Sequence, residues 1–220
     1  MGKTLFIACA ALGREVKAII KKHDWDADFQ AINARLHATP EKIGPAVEER
    51  LKESGNRYTR RIVVYGHCGA PDLDSILEKH GAVRPKGPHC FEMYGGEDFA
   101  RTLREEPGTY ILTDFLIRAW DSLVVQGLKI DVYPEMKAFI FQNYRQLVYY
   151  SQEQDDRLIA DANEIAEWLE LPLKIKHVEY GDLERRLVAI MEAQEQAITE
   201  MPDSFTGMAA LPTGAHHDNS

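Results

Sequence analysis

Three cysteines and two histidine–cysteine neighbours are the residues of this chain best suited to chemistry. His67-Cys68 is framed by Gly66 and Gly69, directly after an apolar run. His89-Cys90 follows Pro88 and precedes Gly95-Gly96. The third thiol, Cys9, closes the first apolar stretch of the chain. Thiolates bind soft and borderline metals, and imidazole suits zinc and iron. A structural zinc site draws four protein ligands, commonly from close C-x-x-C pairs, and none occurs here. Three scattered thiols instead suit a metal with one position left open, as catalytic or ligand-binding metals have. A mononuclear zinc or iron satisfies that logic, and so does an iron–sulfur cluster on three cysteines with one iron free. The expectation is therefore that Cys9, Cys68 and Cys90 converge on one metal, with His67 or His89 as a further ligand.

Other readings compete. Free cysteine often packs as a small buried apolar group. Cys68 or Cys90 can also be a nucleophile, its thiolate favoured by histidine or a helix N-terminus. If the chain is an enzyme, Asp114, Glu92 and His37 are the candidates to orient a substrate, in a metal-dependent transferase or lyase-type reaction. Gly69, Gly95, Gly96 and Thr113 are the candidates to contact a cofactor or ligand. Gly95-Gly96 ahead of a helix exposes backbone N–H groups to an anion, although the pattern is neither G-x-G-x-x-G nor a P-loop and also reads as an ordinary helix-start turn. Thr113-Asp114 reads equally as a helix cap. Tyr144, Tyr149 and Tyr150 read as packing before they read as a cofactor cage.

The elements that must position these groups follow from hydrophobic patterning. The apolar run at 4–10 reads as a strand buried on both faces, and 29–36, 61–65, 82–84, 108–113, 145–150 and 174–178 as further strands. Between them fall helical patterns from Gly13 and over 40–54, 72–80, 98–104, 115–125, 135–143, 155–169 and 182–200, with Thr39, Asp72 and Thr113 or Asp114 as caps. Alternation of this kind predicts an α/β fold, a mainly parallel, Rossmann-like sheet with helices on both faces. Functional loops then lie at the strand carboxyl ends. Cys9, Cys68 and Thr113-Asp114 all fall there. Residues 1–201 are expected to form one α/β domain or two small lobes, and 202–220 a loose tail.

Length and charge set the bounds. The 220 residues are ample for a hydrophobic core, and a formal net charge of −9 leaves no basic surplus for nucleic acid or an anionic membrane. No apolar run reaches the roughly 20 residues that span a bilayer. An odd number of cysteines is no disulfide framework, which points to the cytoplasm. Oligomeric state is left open.

Several stretches together resemble a bacterial and archaeal family catalogued as domain of unknown function 1638. They are Ile7 to Glu15, Leu36 to Ile43, Val64 to Gly69, Pro88-His89-Cys90, Tyr94-Gly95-Gly96 and Pro107 to Thr113. The family pattern has an acidic residue between histidine and cysteine where this chain has His89 directly before Cys90, and a larger residue in place of His67. The resemblance implies an association with corrinoid-dependent methyltransferase systems acting on methylamines or betaines. The implied partners are a small ligand, or a corrinoid protein or methyltransferase. The implied roles are one-carbon chemistry at the metal, a metal-binding accessory without turnover, or a ligand-binding module with structural cysteines.

Overall fold

The computed structural model describes residues 2–87 and 89–199, with side chains to 193. The expected tail and its histidines, His216 and His217, lie outside the described residues. The α/β expectation holds, with the strands divided between two all-parallel sheets of three. The first sheet has the order β2-β1-β3, from β1 (Thr4–Cys9), β2 (Ala27–Ile32) and β3 (Arg60–Val64). The second has the order β4-β5-β6, from β4 (Thr109–Thr113), β5 (Gln146–Ser151) and β6 (Leu173–His177).

In both sheets the middle strand is the most apolar. Every residue of β1 is buried, and in β5 only Gln146 is partly exposed. A strand covered on both faces cannot alternate polar and apolar residues, which is why both read as continuous apolar runs. Parallel strands need crossovers, supplied here by α1 (Gly13–Lys22), α2 (Ile43–Ser54) and α7 (Asp156–Leu169). The α7 helix starts where Asp155 accepts the Arg157 N–H at 2.9 Å. It buries Leu158, Ala162, Ile165, Ala166 and Leu169 at helical spacing. Burying each large aliphatic side chain is worth about 1.5–3 kcal/mol. An aromatic cluster of Tyr110, Trp120, Phe141, Tyr144 and Trp168 completes the second core.

The remaining helices are α3 (Leu73–Lys79), α4 (Glu92–Glu105), α5 (Asp114–Arg118), α6 (Glu135–Phe141) and α8 (Gly181–Thr199). After the second sheet, α8 returns to the first core, where Leu183, Leu187 and Met191 are buried. Several boundaries differ from the sequence reading. The second strand begins and ends earlier, and residues 34–38 form a 3-10 turn. Pro40–Lys42 is another 3-10 turn ahead of α2, and neither Thr39 nor Asp72 makes a side-chain cap. The 82–84 segment contributes one bridge, Ile62 to Val83. The helix expected over 115–125 divides into α5 and a π turn at Asp121–Val125. The α4 span joins two helices across a kink at Gly96, so a helix does begin after Gly95-Gly96 as expected, with a further turn from Glu92 ahead of it. Gly96, at φ 52°, bends the span against the Asp182 carboxylate.

Candidate functional site: a buried three-thiol cluster

The carboxyl end of the first sheet brings the three thiols together. Cys9 is the last residue of β1, Cys68 lies in the loop after β3, and Cys90 in the turn before α4. Cys68 Sγ and Cys90 Sγ are 3.6 Å apart, and Cys9 lies against Cys90. All three are free thiols, exposed by only 4–6%. Two backbone features allow the approach. Cys68 has φ 45°, a left-handed conformation that a residue with a β-carbon seldom adopts. Gly66 lets the 89–90 backbone lie against it: a β-carbon there would stand 2.6 Å from the His89 carbonyl carbon.

The electrostatics divide the cluster. Hydrogen bonding from Cys90, then from the His37 imidazole, pulls the Cys68 thiol well below its ordinary range. The same bond with Cys68, then contact with Cys9 and burial, pushes Cys90 far up. Cys90, the Ala11 N–H and the Tyr65 hydroxyl all favour the Cys9 thiolate. His37 is raised in turn, first by its bond to Cys68. The shifts have a common cause, since a thiol and a thiolate at this distance stabilise each other while two thiolates repel. The Tyr65 hydroxyl is fully buried, faces Cys9 and makes no hydrogen bond of good geometry.

Behind the cluster lies a second set of polar groups. The Tyr94 hydroxyl donates to the Ala11 carbonyl at 3.4 Å and also faces Glu15. Glu15 is 4% exposed, and its Oε2 has no hydrogen-bond partner. Burial raises its carboxyl above the usual range.

Of the residues singled out by sequence, Cys9, Cys68, Cys90 and His37 come together. His67 does not join them. It is exposed and lines a groove of about 790 Å³ with Asp74, Arg84 and Lys86. His89 is exposed too, and only its backbone packs on Gly66. The Glu92 carboxylate is held by Arg186 at 2.6 and 2.8 Å, so it braces α4 against α8. Asp114 is buried and accepts from the Tyr149 hydroxyl and the Gln152 and Glu153 N–H groups at 2.8–2.9 Å, which makes it a latch between β4 and β5. Thr113 caps α5 by accepting the Leu116 N–H. Gly69 faces the Pro40 side chain, and Gly95 packs on Phe99 and Tyr150. Tyr149 and Tyr150 are fully buried, as the packing reading has them. Sequence reading missed Tyr65, Tyr94 and Glu15, which carry no spacing signal because they meet only through the fold.

Among the described residues, no three or more His, Cys, Asp and Glu side chains are set to hold a metal ion as they stand. Nor is any helix there long and apolar enough to cross a membrane.

The family model described as a protein of unknown function (DUF1638) matches residues 31–187. The chain belongs to this family. The matched region includes His37, Cys68 and Cys90, and begins after Cys9 and Glu15. No curated protein and no solved structure is significantly similar to the chain.

Proposed function

We propose that the three thiols bind one soft or borderline transition ion, zinc or iron, and present it to a small ligand. The observation that carries this is the 3.6 Å separation of two buried sulfurs from different loops. Two thiolates on one tetrahedral zinc, each at about 2.3 Å, stand about 3.8 Å apart. Sulfurs on separate irons of a cluster stand farther apart, so the spacing favours a mononuclear ion over an iron–sulfur cluster. Cys9, which lies against Cys90, supplies the third sulfur. Thiolates bind metals only after losing their protons, and the His37 contact supports that loss at Cys68.

Three protein sulfurs leave one position for the ligand. In this reading the ligand takes a hydrogen bond from the Tyr65 hydroxyl, which faces Cys9, and meets the exposed His37 beside Cys68. The ligand belongs in this reading to one-carbon or methylamine and betaine metabolism. The protein either turns it over or serves a corrinoid-dependent methyltransferase as a metal-binding accessory, and a turnover assay separates the two. A second reading, Cys68 as a nucleophile without metal, draws on the same His37 contact.

The test is metal content and an optical spectrum on protein purified without oxygen. One zinc or iron per chain, lost in Cys68→Ser, is the expected result. About four irons per chain would favour the cluster, and no metal at all would leave the nucleophile reading.

A further inference from the structure

The cluster contains a pair of sulfurs disposed for a different reaction. Cys68 and Cys90 are 22 positions apart in sequence and 3.6 Å apart in space, both as free thiols. A disulfide closes sulfurs to about 2.05 Å, so the pair needs a relative movement of roughly 1.5 Å. Both residues lie outside the strands and helices, where such a shift breaks no β-pairing. Cys68 is in the segment between β3 and α3, at an unfavourable positive φ. Cys90 is in the turn ahead of α4. Cys9 is different: it ends a fully buried strand with neighbours paired on both sides. Cys68 also has the His37 imidazole beside it, on an exposed 3-10 turn, which gives an oxidant an approach from the solvent side.

We infer that Cys68 and Cys90 form a reversible disulfide, and that this modification removes two of the three sulfurs from the proposed metal site. With a hydroperoxide as oxidant, the Cys68 sulfur attacks the terminal peroxide oxygen. The O–O bond breaks, an alcohol or water leaves, and Cys68 becomes a sulfenic acid. The Cys90 sulfur then attacks the Cys68 sulfur, the S–O bond breaks, and water departs with the Cys90 proton. Two thiols and one peroxide thereby give one disulfide, one alcohol or water from the peroxide, and one further water. A dithiol reductant reverses the step by exchange. The consequence for metal rests on the function proposed above, whereas the disulfide itself does not.

The experiment uses the full chain, stripped of metal by a chelator without oxygen and treated with one equivalent of hydrogen peroxide. Peptide mass mapping without reduction is expected to find a Cys68–Cys90 linkage as the main product, with Cys9 still alkylatable and full reversal by dithiothreitol. Cys9→Ser should form the same linkage, and Cys90→Ser should stop at the sulfenic acid on Cys68. A dominant linkage to Cys9, or oxidation to sulfinic acid without a disulfide, overturns the inference. A parallel sample loaded with zinc and monitored by a chromophoric chelator is expected to release its metal in step with disulfide formation. If the reduced protein binds no zinc while the linkage still forms, the metal reading fails and the disulfide stands. If zinc binds and stays bound after the disulfide has formed, the claim that oxidation controls the metal is overturned.

Discussion

The backbone nitrogen of Cys90 stands 2.7 Å from where a β-carbon on Gly66 would be. Gly66 follows β3 and Cys90 lies in the turn before α4, so one absent side chain sets how close the two loops can lie. That closeness is what brings Cys90 to Cys68.

Gly66→Ala should therefore act on the cluster as well as on stability. The new methyl meets backbone atoms of residues 89 and 90, which can yield only by moving the whole turn. Overpacking of this kind costs about 1–3 kcal/mol. Denaturant unfolding should show that loss, and the Cys68–Cys90 linkage should fall several-fold under the same oxidation. A variant that loses stability but forms the linkage at the wild-type rate would separate Gly66 from the cluster.

Glu15→Gln should stabilise the protein, and only above the acid range. Burial raises the Glu15 carboxyl in the folded chain. The folded state therefore holds this proton more tightly than the unfolded state does. Stability is greatest below the unfolded value of about 4.3 and declines as pH rises through the folded value. Glutamine keeps the shape and cannot ionise. Unfolding at pH 4 and pH 7.5 should show little difference between variant and wild type at the lower pH and a clear gain in the variant at the higher. An equal gain at both would mean that the charge at Glu15 is not the cause.

Much of the fold could be read in advance because it is written in local patterns. The runs at β1, β3, β4 and β5 are continuous and apolar, and α7 has a regular stripe with an aspartate before it. The division into two sheets is a matter of long-range pairing, which no local pattern encodes. Cys9, Cys68 and Cys90 were legible as a group because cysteine is scarce here and each follows or precedes a rigid element. The histidines adjacent in sequence misled, since neighbouring side chains leave the backbone in different directions. His67 and His89 face solvent while the cysteines turn inward, and His37 reaches Cys68 from 31 positions away. Asp114 stands at a strand end and Glu92 two positions after Cys90, but neither joins the thiols. Their partners, Arg186 and the β5 terminus, come from distant parts of the chain.

Asp114→Ala should cost stability without touching the thiols. Removing the carboxylate strips an acceptor from the buried Gln152 N–H and Tyr149 hydroxyl and from the N–H of the exposed Glu153. Unsatisfied buried donors cost about 1–3 kcal/mol each, and partial relaxation brings the expected total to about 2–4 kcal/mol. Chemical denaturation measures the loss. Metal content and the Cys68–Cys90 linkage should be unchanged in the fraction that remains folded. A loss of metal in well-folded variant protein would return Asp114 to the site.

Arg186 gives the most direct link between the distant α8 helix and the cluster. Its guanidinium grips both oxygens of Glu92 and also donates to the Lys86 carbonyl at 2.6 Å. Those two anchor points flank Cys90 on either side in sequence, so α8 clamps the turn that carries the thiol. The pair is only partly buried, and its net worth to global stability is small because solvent screens it. Its effect on local opening is larger, since one guanidinium ties both ends of the turn at once. Arg186→Met, which keeps the aliphatic stem, should shift the unfolding midpoint little. It should raise the rate of Cys90 alkylation in metal-free protein several-fold, as read by peptide mass mapping over time. Arg186→Lys should fall between the two, because an ammonium cannot hold both carboxylate oxygens and the carbonyl in one plane. Equal Cys90 alkylation rates in all three proteins would show that the turn is held by its own packing on Gly66, and that α8 has no part in gating the thiol.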